Sequence, residues 1–182
     1  TRRDRPYRAF ESGYPYTFDL VTDFGTYKDL MRHRMNTQLR QRFSPLLGFA
    51  MPADLETAGH ADKALRCHAK VVALYEKLAR TMLNEASYVT LHGNYVRWLM
   101  GMNDREAFHL LELRTTPQGH PSYRKASQQM HQAIRKQSPW RAAAMNFVDY
   151  NDYFWSRADA EAKQRVKERQ LEERLKKEKE NT

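Results

Sequence analysis

The chain has 182 residues, 41% of them hydrophobic and 12% aromatic, which is enough for one buried core and too apolar for a disordered segment. A formal charge of +9 favours an anionic partner, while one cysteine, Cys67, excludes an internal disulfide framework or cysteine-rich zinc site and fits a reducing cytoplasm. No apolar run approaches the roughly 20 residues of a membrane span, and the start, Thr1-Arg2-Arg3-Asp4-Arg5, has neither a signal peptide's apolar stretch nor a methionine, so the chain reads as a fragment or a processed form.

Residues 16–21, Tyr-Thr-Phe-Asp-Leu-Val, alternate as a strand does, with Gly13 and Pro15 as punctuation before them. No other segment reads as a strand. Asp23 is placed to cap a helix over 23–37, with Phe24, Tyr27, Leu30 and Met31 on its buried side. Arg32-His33-Arg34 closes that helix. Adjacent guanidinium forks match phosphate or carboxylate geometry, although cations in a last turn also complement the helix dipole without any ligand.

Ser44-Pro45, Gly48 and Pro52 mark a loop. A long helix is expected over 62–85, because Leu65, His68, Val71, Val72, Tyr75, Leu78 and Met82 recur at helical spacing. On that helix His68 reads as a core histidine with a partner, and Cys67 as a small buried residue. Residues 93–102 and 104–114 read as two helical pieces meeting near Gly101, with Asn103 or Asp104 able to cap the second. Thr115 to Gly119 break the chain, and Pro121 suits the first turn of a helix running to about Ser138.

Another helix begins near Pro139. Trp140, Met145, Phe147, Val148, Tyr150, Tyr153, Phe154 and Trp155 follow as an aromatic-rich stretch suited to core packing or a subunit interface. Residues 158–182 form a charged helical tail whose apolar anchors, Val166, Leu171 and Leu175, sustain no heptad. No internal repeat is visible, and the histidines show neither His-Glu-x-x-His nor a paired-cysteine spacing, so no metal site is expected.

Arginines recur in separate segments: Arg32, Arg34, Arg40 and Arg42, then Arg97, Arg105, Arg114 and Arg124. Such scatter suits convergence on one pocket better than a nucleic-acid stripe, and no recognisable nucleic-acid module accompanies it.

Two blocks carry a family likeness. Arg32-His33-Arg34, following a strand and a helix, resembles the opening of the signature of the flavin-dependent thymidylate synthases. Asn103-Asp104-Arg105, Leu113-Arg114, a four-residue spacer and Gly119-His120-Pro121-Ser122-Tyr123-Arg124 resemble that family's later segment in order and spacing. Together they span Tyr16 to about Trp140. The resemblance implies an α+β fold, helix-rich with a small antiparallel sheet, over residues 1–157, N-terminally incomplete, with the tail beyond it.

The resemblance also implies roles. Arg32, His33 and Arg34 would contact flavin and nucleotide; Asn103, Arg105 and His109 would serve the flavin; Arg114 would grip the pyrimidine and polarise it. The chain departs from the family pattern at Asp29, Arg40, Arg42, Ser44 and Ser87. Arg40 and Arg42 stand for a glutamate and a serine, making the site a purely cationic donor; they would compensate for the phosphate-binding arginine absent at Ser87. His120 stands for a glutamine beside Arg114 and joins the substrate-binding set.

The implied reaction methylates dUMP to dTMP with FAD, NADPH and methylenetetrahydrofolate, in a cytoplasmic homotetramer. Two alternatives stay open: a non-catalytic homologue acting as one half of a longer tandem chain, and a basic nucleic-acid-binding module.

Overall fold

Side-chain alternation decides the sheet. The computed structural model describes residues 8–11, 13–153 and 156–180. Its three strands are β1 (Tyr16–Asp23), β2 (Thr37–Arg40) and β3 (Tyr95–Met102), in the order β1-β3-β2 with both pairings antiparallel. Around them lie α1 (Phe24–Leu30), α2 (Ala53–Thr57), α3 (Ala61–Ala79), α4 (Asp104–Arg114), α5 (Pro121–Gln137), α6 (Pro139–Ala144) and α7 (Ser156–Glu180). The fold is α+β, helix-rich with a small antiparallel sheet, as the resemblance implies.

The strand expected over 16–21 is β1, two residues longer at its end. Residues 93–102, expected as helix, instead hold the central strand, which begins at Tyr95. Val96, Trp98, Met100 and Met102 are buried while Arg97 and Leu99 are exposed, a period of two that a helix cannot satisfy. β1 pairs with β3 from Tyr16↔Met102 to Asp23↔Tyr95, and β2 pairs along the other edge from Thr37↔Gly101 to Arg40↔Trp98. Both edges of β3 are thus hydrogen-bonded.

Asp23 caps α1 as expected, accepting from the Thr26 backbone N–H at 2.8 Å. The helix ends at Leu30 rather than near 37, because Thr37 to Arg40 are drawn onto β3. Tyr27 and Leu30 are buried, but Met31 is exposed just past the helix end. Arg32-His33-Arg34 therefore lies in a turn and not in a helix.

The core joins the inner face of the sheet to α4, α5 and α6 through Trp98, Met100, Met102, Leu110, Leu111, Met130, Ile134 and Met145. Trp98 is 1% exposed and donates its indole N–H to Thr22 Oγ1 at 3.2 Å. On the outer face, Arg97 bridges Asp19, with Nη2 at 2.6 Å from Oδ2.

α3 stops at Ala79, short of the expected 85, and rests on the 3-10 turns Pro45–Leu47 and Glu85–Val89 rather than on the core. Only Tyr75 of its apolar stripe is buried; Val71, Val72 and Leu78 are half-buried, and Leu65 and Met82 are exposed. His68 has its partners, Asn94 Nδ2 at 3.2 Å and the Phe49 ring at 4.8 Å. Cys67 is exposed, contrary to expectation. It sits one residue, about 100° of helix rotation, away from the face that His68 shares with Tyr75.

The aromatic-rich stretch divides. Met145 is buried and Val148 half-buried, Tyr150 meets His131 Nδ1 at 2.5 Å, and Trp140 and Phe147 are exposed. Phe154 and Trp155 lie outside the described residues. Val166 and Leu171 of α7 are exposed. Among the described residues no helix is long and apolar enough to cross a membrane.

Leu110 is fully buried between sheet and helices, so Leu110→Ala should lower unfolding free energy by about 2–5 kcal/mol. Asp23→Ala, which removes a cap, should cost about 1 kcal/mol. Urea unfolding of both variants checks the ordering; a larger loss at Asp23 would contradict this placement of the core.

Candidate functional site

The two sequence blocks meet across one imidazole. Gln38 of β2 donates to the His33 carbonyl at 3.1 Å and to Asn36 Oδ1 at 2.6 Å, fixing the turn that follows α1. His33 is thereby turned inward against α4, where its side chain is 5% exposed. Its Nδ1 lies 2.9 Å from Glu106 Oε1, and its Nε2 accepts from Arg114 Nε at 2.8 Å. Glu106, also buried, and Arg114 lie on one face of α4, about two turns apart.

The Arg114 guanidinium lies 5.4 Å from the Tyr123 ring centroid, and Tyr123 in turn neighbours His120 at 6.4 Å between rings. Among the described residues, neither terminal amino group of Arg114 has a protein hydrogen-bond partner. The cation is anchored through Nε and stacked on an aromatic face, with its fork open. His109 is exposed on the same helix, its ring 5.5 Å from that of His33.

His33, His109, Arg114 and His120 are thus brought together. Arg32 and Arg34 flank His33 but are exposed, Arg32 pairing with Asp29 at 3.5 Å. Arg40 and Arg42 belong to a separate group. Arg40 stacks 4.1 Å from the centroid of Phe43, and Arg42 donates to Asn84 Oδ1 at 2.8 Å. Phe24, Arg40, Phe43, Asn84, Ser87 and Tyr88, together with the acidic Glu85, line one open hollow there, so Arg40 does lie near Ser87.

Sequence reasoning missed Glu106. Asn103 followed three residues later by glutamate is the pattern of a capping box. Asn103 does cap α4, accepting from the Glu106 backbone N–H at 2.9 Å, but the Glu106 carboxylate turns to His33 instead of completing the box. Tyr123 was also missed as a stacking partner.

The profile of the thymidylate synthase complementing protein family matches residues 3–140. The chain belongs to that family. A UPF0159 protein of Chlamydia muridarum is 33% identical over 165 residues, covering 91% of this chain and 31% of the relative. A UPF0159 protein of Chlamydia pneumoniae is 31% identical over 160 residues, covering 88% and 30%, and one of Thermoplasma acidophilum is 29% identical over 181 residues, covering 91% and 34%. The chain therefore spans about a third of the length of these curated relatives. The family is flavin-dependent, and membership relates the chain to thymidylate synthase and nucleotide biosynthesis.

Family membership invites a test of the residues against a flavin. Asn103 and Arg105 are both engaged within the protein: Asn103 Nδ2 donates to the Glu11 carbonyl at 2.9 Å, and Arg105 is ion-paired with the Glu11 carboxylate. Phe10 stacks on Phe108 at 5.7 Å beside them. The 3-10 turn Arg8–Glu11 thus satisfies the two side chains that the resemblance assigns to a flavin. Arg32, Arg34 and His109 remain exposed and fit the donor set that an anionic cofactor needs.

Two further anchors fix α4 and α5. Burial raises the Tyr16 phenol, and its hydrogen bond to Asp104 raises it further, so it stays protonated while tying β1 to the start of α4. Arg124, 5% exposed, donates to the carbonyls of Thr115 at 3.0 Å and Asn151 at 2.8 Å and faces Asp149 at 3.7 Å. Burial pushes the Asp149 carboxyl up, but Tyr153, the Asn151 backbone N–H and Arg124 outweigh it and hold the group below its ordinary range.

A depressed folded value means that Asp149 contributes stability above the unfolded carboxyl value, about pH 4. That contribution disappears as pH falls through the lower folded value. Asp149→Asn should flatten the acid limb of the stability profile, read from thermal melts at successive pH values. An unchanged limb would contradict the clamp.

Proposed function

We propose that this chain is a pyrimidine-nucleotide-binding unit of a flavin-dependent thymidylate synthase-type protein, whose reaction methylates dUMP to dTMP with FAD, NADPH and methylenetetrahydrofolate. The observation that carries this reading is Arg114, anchored through Nε to a buried imidazole and leaving its terminal amino groups for a ligand. A fixed fork of that kind matches the carbonyl edge of a uracil ring, where negative charge develops during reaction at C5. The ring would be held beside the Tyr123 and His120 side chains, which limit its orientation.

Flavin, when bound, would supply the redox chemistry, with Arg32, Arg34 and His109 as the exposed donors nearest His33. The aromatic hollow beside Arg40 and Arg42 supports a second point of contact for anionic groups of the nucleotide. A homo-oligomer, or another part of a longer chain, would complete the site.

One observation favours the second reading, a non-catalytic unit within a longer protein. Glu11 engages both Asn103 and Arg105. Binding separates the two. Under the first reading, the purified protein retains a visible flavin band after FAD incubation and binds dUMP. Arg114→Ala should then abolish dUMP binding while leaving the flavin band, and Glu11→Ala should tighten flavin. Under the second reading, no flavin is retained by the wild type or by Glu11→Ala. Unaltered dUMP affinity in Arg114→Ala would remove the central assignment.

A further inference from the structure

Glu106 is a buried carboxylate that the family likeness leaves without a role, and its geometry gives it one. The guanidinium of Arg114 carries only donors. Since Arg114 Nε donates to His33 Nε2 at 2.8 Å, that ring nitrogen must present a lone pair. The imidazole proton therefore sits on Nδ1, 2.9 Å from Glu106 Oε1, which accepts it. A doubly protonated ring would turn an N–H against a cationic donor, and the opposite tautomer would do so as well. His33 and Glu106 side chains are 5% and 6% exposed, so water is a poor substitute for either partner.

We propose that Glu106 is a positioning residue: by accepting the Nδ1 proton it holds His33 as the neutral Nδ1–H tautomer, and His33 in turn fixes Arg114 Nε so that the terminal amino groups keep one orientation toward the nucleotide. The role for the nucleotide rests on the reading of Arg114 above; the tautomer assignment does not. Glu106 is itself fixed at both ends. Its backbone N–H is capped by Asn103 Oδ1 at 2.9 Å, and its carboxylate meets the inward-turned imidazole. The orientation of Arg114 therefore depends on a carboxylate about two helical turns away along α4.

The sharpest test is 15N NMR of the imidazoles in the intact protein, with the His33 signal assigned by its loss in His33→Gln. In the wild type, His33 should show a protonated Nδ1 and a pyridine-type Nε2. Glu106→Gln can still accept from Nδ1–H through its amide oxygen, so it should keep both that signature and the dUMP affinity. Glu106→Leu, similar in bulk but without an acceptor, should lose the signature and weaken dUMP binding at least about tenfold, as loss of an orienting partner of a histidine does elsewhere. Thermal melts report whether each variant is folded.

A wild-type His33 that is doubly protonated or carries its proton on Nε2 overturns the proposal. So does a folded Glu106→Leu with wild-type dUMP affinity. If Glu106→Leu does not fold, the wild-type spectrum and Glu106→Gln decide: a changed tautomer in Glu106→Gln overturns the relay, and a retained one supports it. A wild type that binds no dUMP defeats the functional reading of Arg114, while the tautomer spectra still decide the relay.

Discussion

β3 governs the rest of the molecule, because it is hydrogen-bonded along both edges. Pairing with β1 sets the inner face that Trp98, Met100 and Met102 present to the helices. Pairing with β2 does more for the site. It halts α1 at Leu30 and draws Thr37 to Arg40 onto the sheet, so the intervening Arg32-His33-Arg34 must turn. The end of β3 passes directly into the Asn103 cap of α4. One strand thus fixes both the turn carrying His33 and the helix carrying Glu106 and Arg114.

Two polar groups, His33 and Glu106, are removed from water at that junction and satisfy each other, and half-buried Arg114 joins them through Nε. Burying a carboxylate without a partner is costly, and replacing either neighbour by an apolar group leaves an uncompensated polar atom. The arrangement of carboxylate, neutral imidazole and guanidinium separates two opposite charges by a ring that accepts from one and donates to the other. Rigidity follows from the packing around it: Leu110 and Leu111, on the intervening turn of α4, are fully buried. A cation held so tightly on one edge loses little freedom when a planar ligand meets its other edge.

The cations divide by environment. Arg114 and Arg124 are drawn into the body of the protein by helix placement, and each has defined acceptors. Arg105 is neutralised by Glu11 from the N-terminal 3-10 turn. Arg32, Arg34, Arg40 and Arg42 stay at the surface, where ion pairing is worth little and an incoming anion meets the least competition. Of the positions where the resemblance marks a departure, Arg40 and Ser87 line the hollow of Phe24, Phe43 and Tyr88, and Arg42 donates to Asn84 beside it. They alter one region of the surface and leave the His33–Arg114 contact untouched.

By itself the sequence determined the strand at β1, the Asp23 cap, a cap at Asn103 or Asp104, and the helices from α4 through α6, while the α+β class came with the family resemblance. Those signals are local: alternation, a side-chain oxygen before an amphipathic run, a proline at a first helical turn. Motif order also singled out Arg114 and the Arg32–Arg34 triplet as candidates, through the resemblance. The tertiary structure decided the remainder. Residues 95–102 became a strand because both neighbours offer hydrogen-bonding edges, which no local window contains. Cys67 turned outward because α3 rests on 3-10 turns instead of the core. Glu106 looks locally like half of a capping box; only the approach of His33, brought in by β2 pairing from 73 residues away, gives its carboxylate a different partner.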